Sequence, residues 1–214
     1  MYIFLMILII VSMFLYHLIA LHFDSKRTKY ILKPGTMILI IVLAIYGSSL
    51  ETTFAKWVVV ALCFSLVGDV FLMLEERWFI HGLISFFIAH VFYIIAFWNS
   101  FTLHIMSKTS LLVALSLILF SIWFFLFLLR YVKEAGGVQL AIAVASYILV
   151  ISIMMWSASL AGSSILIVAS LLFVISDAIL AYDKFRNPFS AAEHMVMITY
   201  FTAQLLFAIS VGYM

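Results

Sequence analysis

Charge is what this chain has least of. Asp, Glu, Lys and Arg make up 9% of its 214 residues, against roughly 25% in soluble domains. With 68% hydrophobic residues and a mean hydropathy of +1.31, a water-soluble fold is excluded and an integral membrane protein is implied. Long polar linkers are missing too, so residues 1–214 read as a single transmembrane helical domain. The single cysteine, Cys63, excludes an intramolecular disulfide and is expected to be a small packing residue within a helix. A net charge of +2 is too small to call for a nucleic-acid partner. The first stretch, MYIFLMILIIVSMFLYHLIALHF, lacks a basic leader and a small-residue cleavage site, and is expected to be a retained helix.

What is present is a series of long apolar runs. A membrane-crossing helix needs about 20 such residues, and eight stretches qualify: about 2–22, 35–50, 54–74, 79–99, 109–131, 138–157, 164–182 and 195–213. The second is the shortest; its start extends back as far as Tyr30 if Pro34 occupies its first turn. Membrane β-strands would alternate apolar and polar residues, and these runs are continuous, so the fold class is all-α, a polytopic bundle of eight transmembrane helices. Nine of the eleven Lys and Arg follow the odd-numbered stretches: Lys26, Arg27, Lys29, Lys33, Arg77, Arg130, Lys133, Lys184 and Arg186. Only Lys56 and Lys108 fall on the other side, which puts both termini on the non-cytoplasmic side of a multi-pass protein, in the inner membrane if the cell is bacterial.

Within these runs stand two carboxylates. Asp69, in SLVGDVFLML, lies five residues before the end of the third stretch, about 8 Å inside it, and Asp177, in LLFVISDAILAYD, lies five before the end of the seventh. Those stretches run in the same direction, so the two acids are expected at one depth. Each costs about 2.5–3.5 kcal/mol if left ionised in lipid, and no Lys or Arg lies within the core of an expected span, so a site is expected where they meet. Tyr200 and Gln204, one turn apart, are expected to line it. On the fourth stretch Gly82, Ser85, Phe86, Ala89, His90 and Tyr93 share one face, with His90 roughly 16 Å deep and His17 of the first stretch near the aspartate level. Ser65, Ser85, Ser176 and Thr199 read as small packing residues between helices, and His17 as an interfacial group.

Two acids in a low-dielectric pocket divide into a proton donor and a base. That suits hydrolysis through an oxocarbenium ion, and equally intramembrane proteolysis or proton-coupled transport of a lipid or solute. The intramembrane aspartyl protease pattern is not met: Leu66 stands where its first glycine belongs, Tyr182-Asp183 follows Asp69 instead of preceding it, and neither Pro34 nor Pro188 begins Pro-Ala-Leu. Transporters of inverted-repeat type have helices interrupted in mid-membrane, and no apolar run here is clearly broken by Gly or Pro. With His17 and His90 at different expected depths, no metal or other cofactor is called for.

SLVGDVFLML, then Phe79, Gly82, Leu83, Phe86, Ala89, His90 and Tyr93 in the fourth stretch, then SDAILA and TYFTAQLL, together resemble the YhhN-type lysoplasmalogenase family from about residue 33 onward. The resemblance implies a hydrolase acting on ether bonds, releasing a fatty aldehyde and a glycerophospho head group from a lysophospholipid partner. It implies Asp69 and Asp177 as the acid–base pair, with Ser65, His90, Tyr93, Tyr200 and Gln204 orienting substrate or water. Arg77, Lys184 and Arg186 are then expected to meet the phosphate at the cytoplasmic face.

Overall fold

The computed structural model describes residues 1–21, 25–103, 105 and 107–213, and every regular element among them is helical. Helix α1 (Tyr2–Leu15) passes into one π-helical turn, Tyr16–Leu21; His22, the end of the first expected span, lies outside the described residues. There follow α2 (Lys26–Ser48), α3 (Thr53–Met73), a 3₁₀ turn (Glu76–Trp78), α4 (Phe79–Ser100), α5 (Lys108–Ala161), α6 (Ser164–Phe185) and α7 (Ala192–Ser210). Local sequence sets several of these ends. The hydroxyls of Ser25, Thr52 and Ser107 accept from the amides of Thr28, Ala55 and Ser110 at 3.4, 3.1 and 3.1 Å, which caps α2, α3 and α5. Gly162, at φ +69°, supplies the left-handed turn that ends α5.

A straight helix as long as the 54 residues of α5 would reach about 80 Å, twice the thickness of a bilayer with its head groups. Gly136 and Gly137 prevent that. Gly137 takes φ +68° and ψ −159°, a backbone state that only glycine adopts without strain. The two limbs fold back on each other: Trp156 Nε1 donates to Ser110 Oγ at 3.2 Å, and the hydroxyls of Ser121 and Ser152 pair at 2.8 Å, so the limbs are antiparallel.

The helices close a ring in which α2 packs on α3, α3 on α4, α4 on α5, α5 on α6, α6 on α7, and α7 back on α2. The inner limb of α5 (138–161) is the one α4 touches, through Trp98 Nε1 to Ser157 Oγ at 2.9 Å. Helix α1 lies outside the ring on α2. On the outer limb (108–135) Leu112, Leu119, Trp123 and Leu126 are each more than half exposed. An apolar outer surface of this kind, on helices that satisfy their own backbone, is what hydrocarbon requires. Cys63 belongs to this surface; it is exposed and not a packing residue between helices.

The most extensive packing in the ring is between α3 and α4. A Cβ added to Gly68 would stand 2.7 Å from the Phe86 ring, and one added to Gly82 would stand 2.7 Å from Leu72. The face expected on α4 is the buried one, with Gly82, Ser85, Phe86, Ala89, His90 and Tyr93 all inside. Two boundaries differ usefully from expectation. Helix α2 starts at Lys26, so Pro34 lies two turns within it and not in its first turn, and α6 runs on to Phe185, three residues beyond the expected end.

The hairpin predicts a cross-link. In a Cys63→Ala background, Ser121→Cys with Ser152→Cys should form an intramolecular disulfide on mild oxidation, seen as protection of both thiols from a maleimide–polyethylene glycol label. Both thiols staying reactive would mean that the limbs are not paired in the membrane.

Candidate functional site

Inside the ring is a polar cavity of about 260 Å³, lined by Lys33, Asp69, Asp177, Asp183, Glu193 and Tyr200 among others. Asp69 is 1% exposed. Its Oδ1 lies 3.0 Å from Lys33 Nζ, and its Oδ2 accepts from Tyr200 Oη at 2.6 Å. One carboxylate thus joins α2, α3 and α7. The basic partner corrects the expectation that no Lys or Arg lies within a span core. Lys33 was assigned to a cytoplasmic loop, but α2 begins seven residues before it, and its side chain is nearly buried. The available signal was Ser25, a capping residue that places the helix start well ahead of Pro34.

Asp177 is held differently. Tyr147 Oη donates to its Oδ2 at 2.5 Å, and His90 Nε2 lies 3.1 Å from the same hydroxyl and 3.5 Å from that carboxylate oxygen. His90 is fully buried and Tyr147 nearly so. The tyrosine has one proton and gives it to Asp177, so Nε2 of the imidazole is the atom that donates to the tyrosine oxygen. Among the described residues no Lys or Arg approaches Asp177 in an ion pair. Depth arithmetic had separated His90 from the acids. The longer α6 removes the discrepancy: Asp177 is eight residues from Phe185, about 12 Å, and His90 is eleven from Phe79, about 16 Å, a gap that an imidazole spans. Tyr147 was given no role from the sequence because it sits in a largely apolar run and finds its partners only across helices.

A second cavity, of about 70 Å³, borders the first and is lined almost wholly by hydrocarbon, including Phe79, Phe124, Ile148, Ile151 and Val174. Leu72, Phe86, Leu180 and Asp177 line both. Asp177 is therefore the acid at the junction of a polar chamber and an apolar one.

The other expected residues divide into two groups. Tyr200 belongs to the polar cavity. Tyr93 does not: its hydroxyl donates to Gln204 Oε1 at 2.6 Å, and both are wholly buried behind the site, as is Ser65. Ser176 lines the cavity and donates to the Val196 carbonyl at 3.1 Å. The cations expected to meet phosphate have other partners and do not line either cavity. Arg77 is exposed and pairs with Glu75 at 3.1 Å, Lys184 pairs with Glu76 at 2.6 Å, and the Arg186 guanidinium lies 3.7 Å over the Phe127 ring. The cation that does reach the cavity is Lys33. At the same end of α7, Glu193 joins Lys29 at 2.8 Å and Tyr16, and His17 Nδ1 stands 3.4 Å from His194 Nδ1. Among the described residues no three His, Cys, Asp or Glu side chains converge as metal ligands.

The YhhN family's sequence model matches residues 28–211. The chain is 31% identical over 168 residues to lysoplasmalogenase TMEM86A of Bos taurus, covering 73% of this chain and 65% of that protein. It is 30% identical over 201 residues to lysoplasmalogenase TMEM86B of Rattus norvegicus, covering 94% and 81%. With a lysoplasmalogenase homolog of Dictyostelium discoideum it shares 33% identity over 156 residues, covering 73% and 48%. The match thus spans slightly less than two thirds of the length of the TMEM86A relatives. No solved structure matches the chain.

The buried ion pair makes a stability prediction. Lys33→Met leaves the buried Asp69 carboxyl without its countercharge, and removing one partner of such a pair costs about 3–5 kcal/mol. A large drop in thermal unfolding temperature in detergent is expected, with much of it restored when Asp69→Asn is added. Additive losses in the double variant would show that the two groups do not interact.

Proposed function

The chain belongs to the YhhN family, and we propose that it is a hydrolase cleaving the vinyl ether of a lysoplasmalogen within the membrane, releasing a fatty aldehyde and a glycerophospho head group. The observation that carries this reading is the position of Asp177, shared by a polar and an apolar chamber. An amphiphile whose scissile bond joins a hydrocarbon chain to a glycerol head matches such a junction, with the chain in one chamber and the head in the other.

Vinyl ethers hydrolyse by protonation of the alkene carbon remote from oxygen. Asp177 is the donor. Its Oδ2 is engaged by Tyr147, which leaves Oδ1 to carry the proton to carbon. The oxocarbenium ion formed is flanked by the new Asp177 carboxylate and by Asp69, whose charge is held in place by Lys33 and Tyr200. Water adds to the cationic carbon and yields its proton to a carboxylate. The resulting hemiacetal then loses the glycerol oxygen, which takes up that proton, while the hemiacetal hydroxyl gives its own proton to a carboxylate, leaving aldehyde and alcohol and restoring the acid. Lys33, reaching the polar chamber, also faces the polar head.

The α5 hairpin supports counting that helix as two crossings, which makes eight in all. The asymmetry of Lys and Arg supports a cytoplasmic mouth for the polar chamber and both termini on the opposite side.

Purified protein given a lysoplasmalogen should release aldehyde. Asp177→Asn should lower kcat by about 10²–10⁴-fold with the fold retained, the range for loss of a general acid. Undiminished aldehyde release from folded Asp177→Asn would remove it from the chemistry. No aldehyde from the wild type with any vinyl-ether lysolipid would remove the reaction itself.

A further inference from the structure

The apolar chamber extends past Asp177 in both directions, toward Phe79, Ala181 and Phe185 at one end and toward Ser152 at the other. Starting from Tyr147, level with the acid, its wall on the inner limb of α5 continues through Ile148 and Ile151 to Ser152. There Ser152 Oγ stands 2.8 Å from Ser121 Oγ of the outer limb, and each lies 2.7 Å from a carbonyl of its own helix, of Ile148 and Leu117 respectively. One hydroxyl donates to the other, and the accepting one donates to its carbonyl. The two serines satisfy one another and tie the limbs together at this end of the chamber. Phe120, beside Ser121, and Val174 of α6, about one turn deeper than Asp177, also line the chamber. From Tyr147 to Ser152 is five residues, about 7 Å, room for about six carbons of an extended chain.

Resting on the vinyl-ether hydrolase reading, we propose that Ser152, together with Val174, limits the depth of the substrate-chain subsite. The chamber takes roughly the first six carbons beyond the double bond, and the rest of the chain leaves sideways into lipid. Chain carbons gain little by passing from lipid into an apolar pocket, because the two surroundings are equally apolar. The subsite therefore selects by shape. The wild type should treat all long chains alike, and discrimination should emerge only when that depth is reduced.

The test compares a hexadecenyl substrate with a short-chain analogue of about four carbons, in mixed micelles. Ser152→Phe should lower kcat/KM for the long chain at least 10-fold while the short analogue is cleaved within about 2-fold of wild type; Val174→Phe should do the same from α6. Ser152→Ala, which adds no bulk, should leave the ratio unchanged. Equal losses for both substrates in both bulky variants, or no loss in either, would overturn the proposed limit. Turnover of the short analogue reports separately on the hydrolase reading: its absence in the wild type would count against the reaction itself.

Discussion

A carboxylate inside a membrane protein must be matched or neutral, because neither lipid nor packed side chains replace its lost hydration. Asp69 is matched. The Lys33 ammonium at 3.0 Å and the Tyr200 hydroxyl at 2.6 Å bring α2 and α7 to α3 at a single point. Glycine makes the geometry available: Gly68, one residue before the acid, lets Phe86 of α4 press against the backbone of α3. The ring of helices, the polar cavity within it and the chemistry proposed there all depend on that ion pair being satisfied.

The two aspartates are consequently not a symmetric pair. One has a fixed countercharge, whereas the other has a tyrosine and a histidine bonded in series. A symmetric dyad shares one proton and leaves its roles to the substrate. In the proposed reaction these unlike surroundings would divide the roles in advance, with Asp69 beside its countercharge and Asp177 as the acid oriented by Tyr147. This division is what a reaction through a carbocation needs, since the donor must be neutral at the moment when a neighbouring negative charge is most useful.

Amphiphile chemistry imposes a second requirement. In the proposed lysolipid substrate the scissile bond lies where hydrocarbon meets polar glycerol, so the proposed acid should sit on that same boundary. Asp177 does, with phenylalanine and isoleucine on one side and Lys33 and Asp69 on the other. The cations at the helix ends, Arg77, Lys184 and Arg186, are engaged with Glu75, Glu76 and aromatic rings. They brace the loops, and Lys33 is the cation that faces the chamber.

Helical class, membrane residence and the buried face of α4 were legible in the sequence, because each depends on how often apolar residues recur along the chain. The two acids were legible as well, since a carboxylate in an apolar run is conspicuous whatever surrounds it. Lys33 was hidden by a helix start placed too late, and Tyr147 by being one aromatic in a run of hydrophobic residues. Composition and period determined by themselves that the chain forms apolar helices and that Asp69 and Asp177 need partners. Which partners they have, and that the two acids differ, was decided only by the tertiary structure, because hydrogen bonds and ion pairs across helices depend on rotation and depth, and one residue of helix turns a side chain by about 100°.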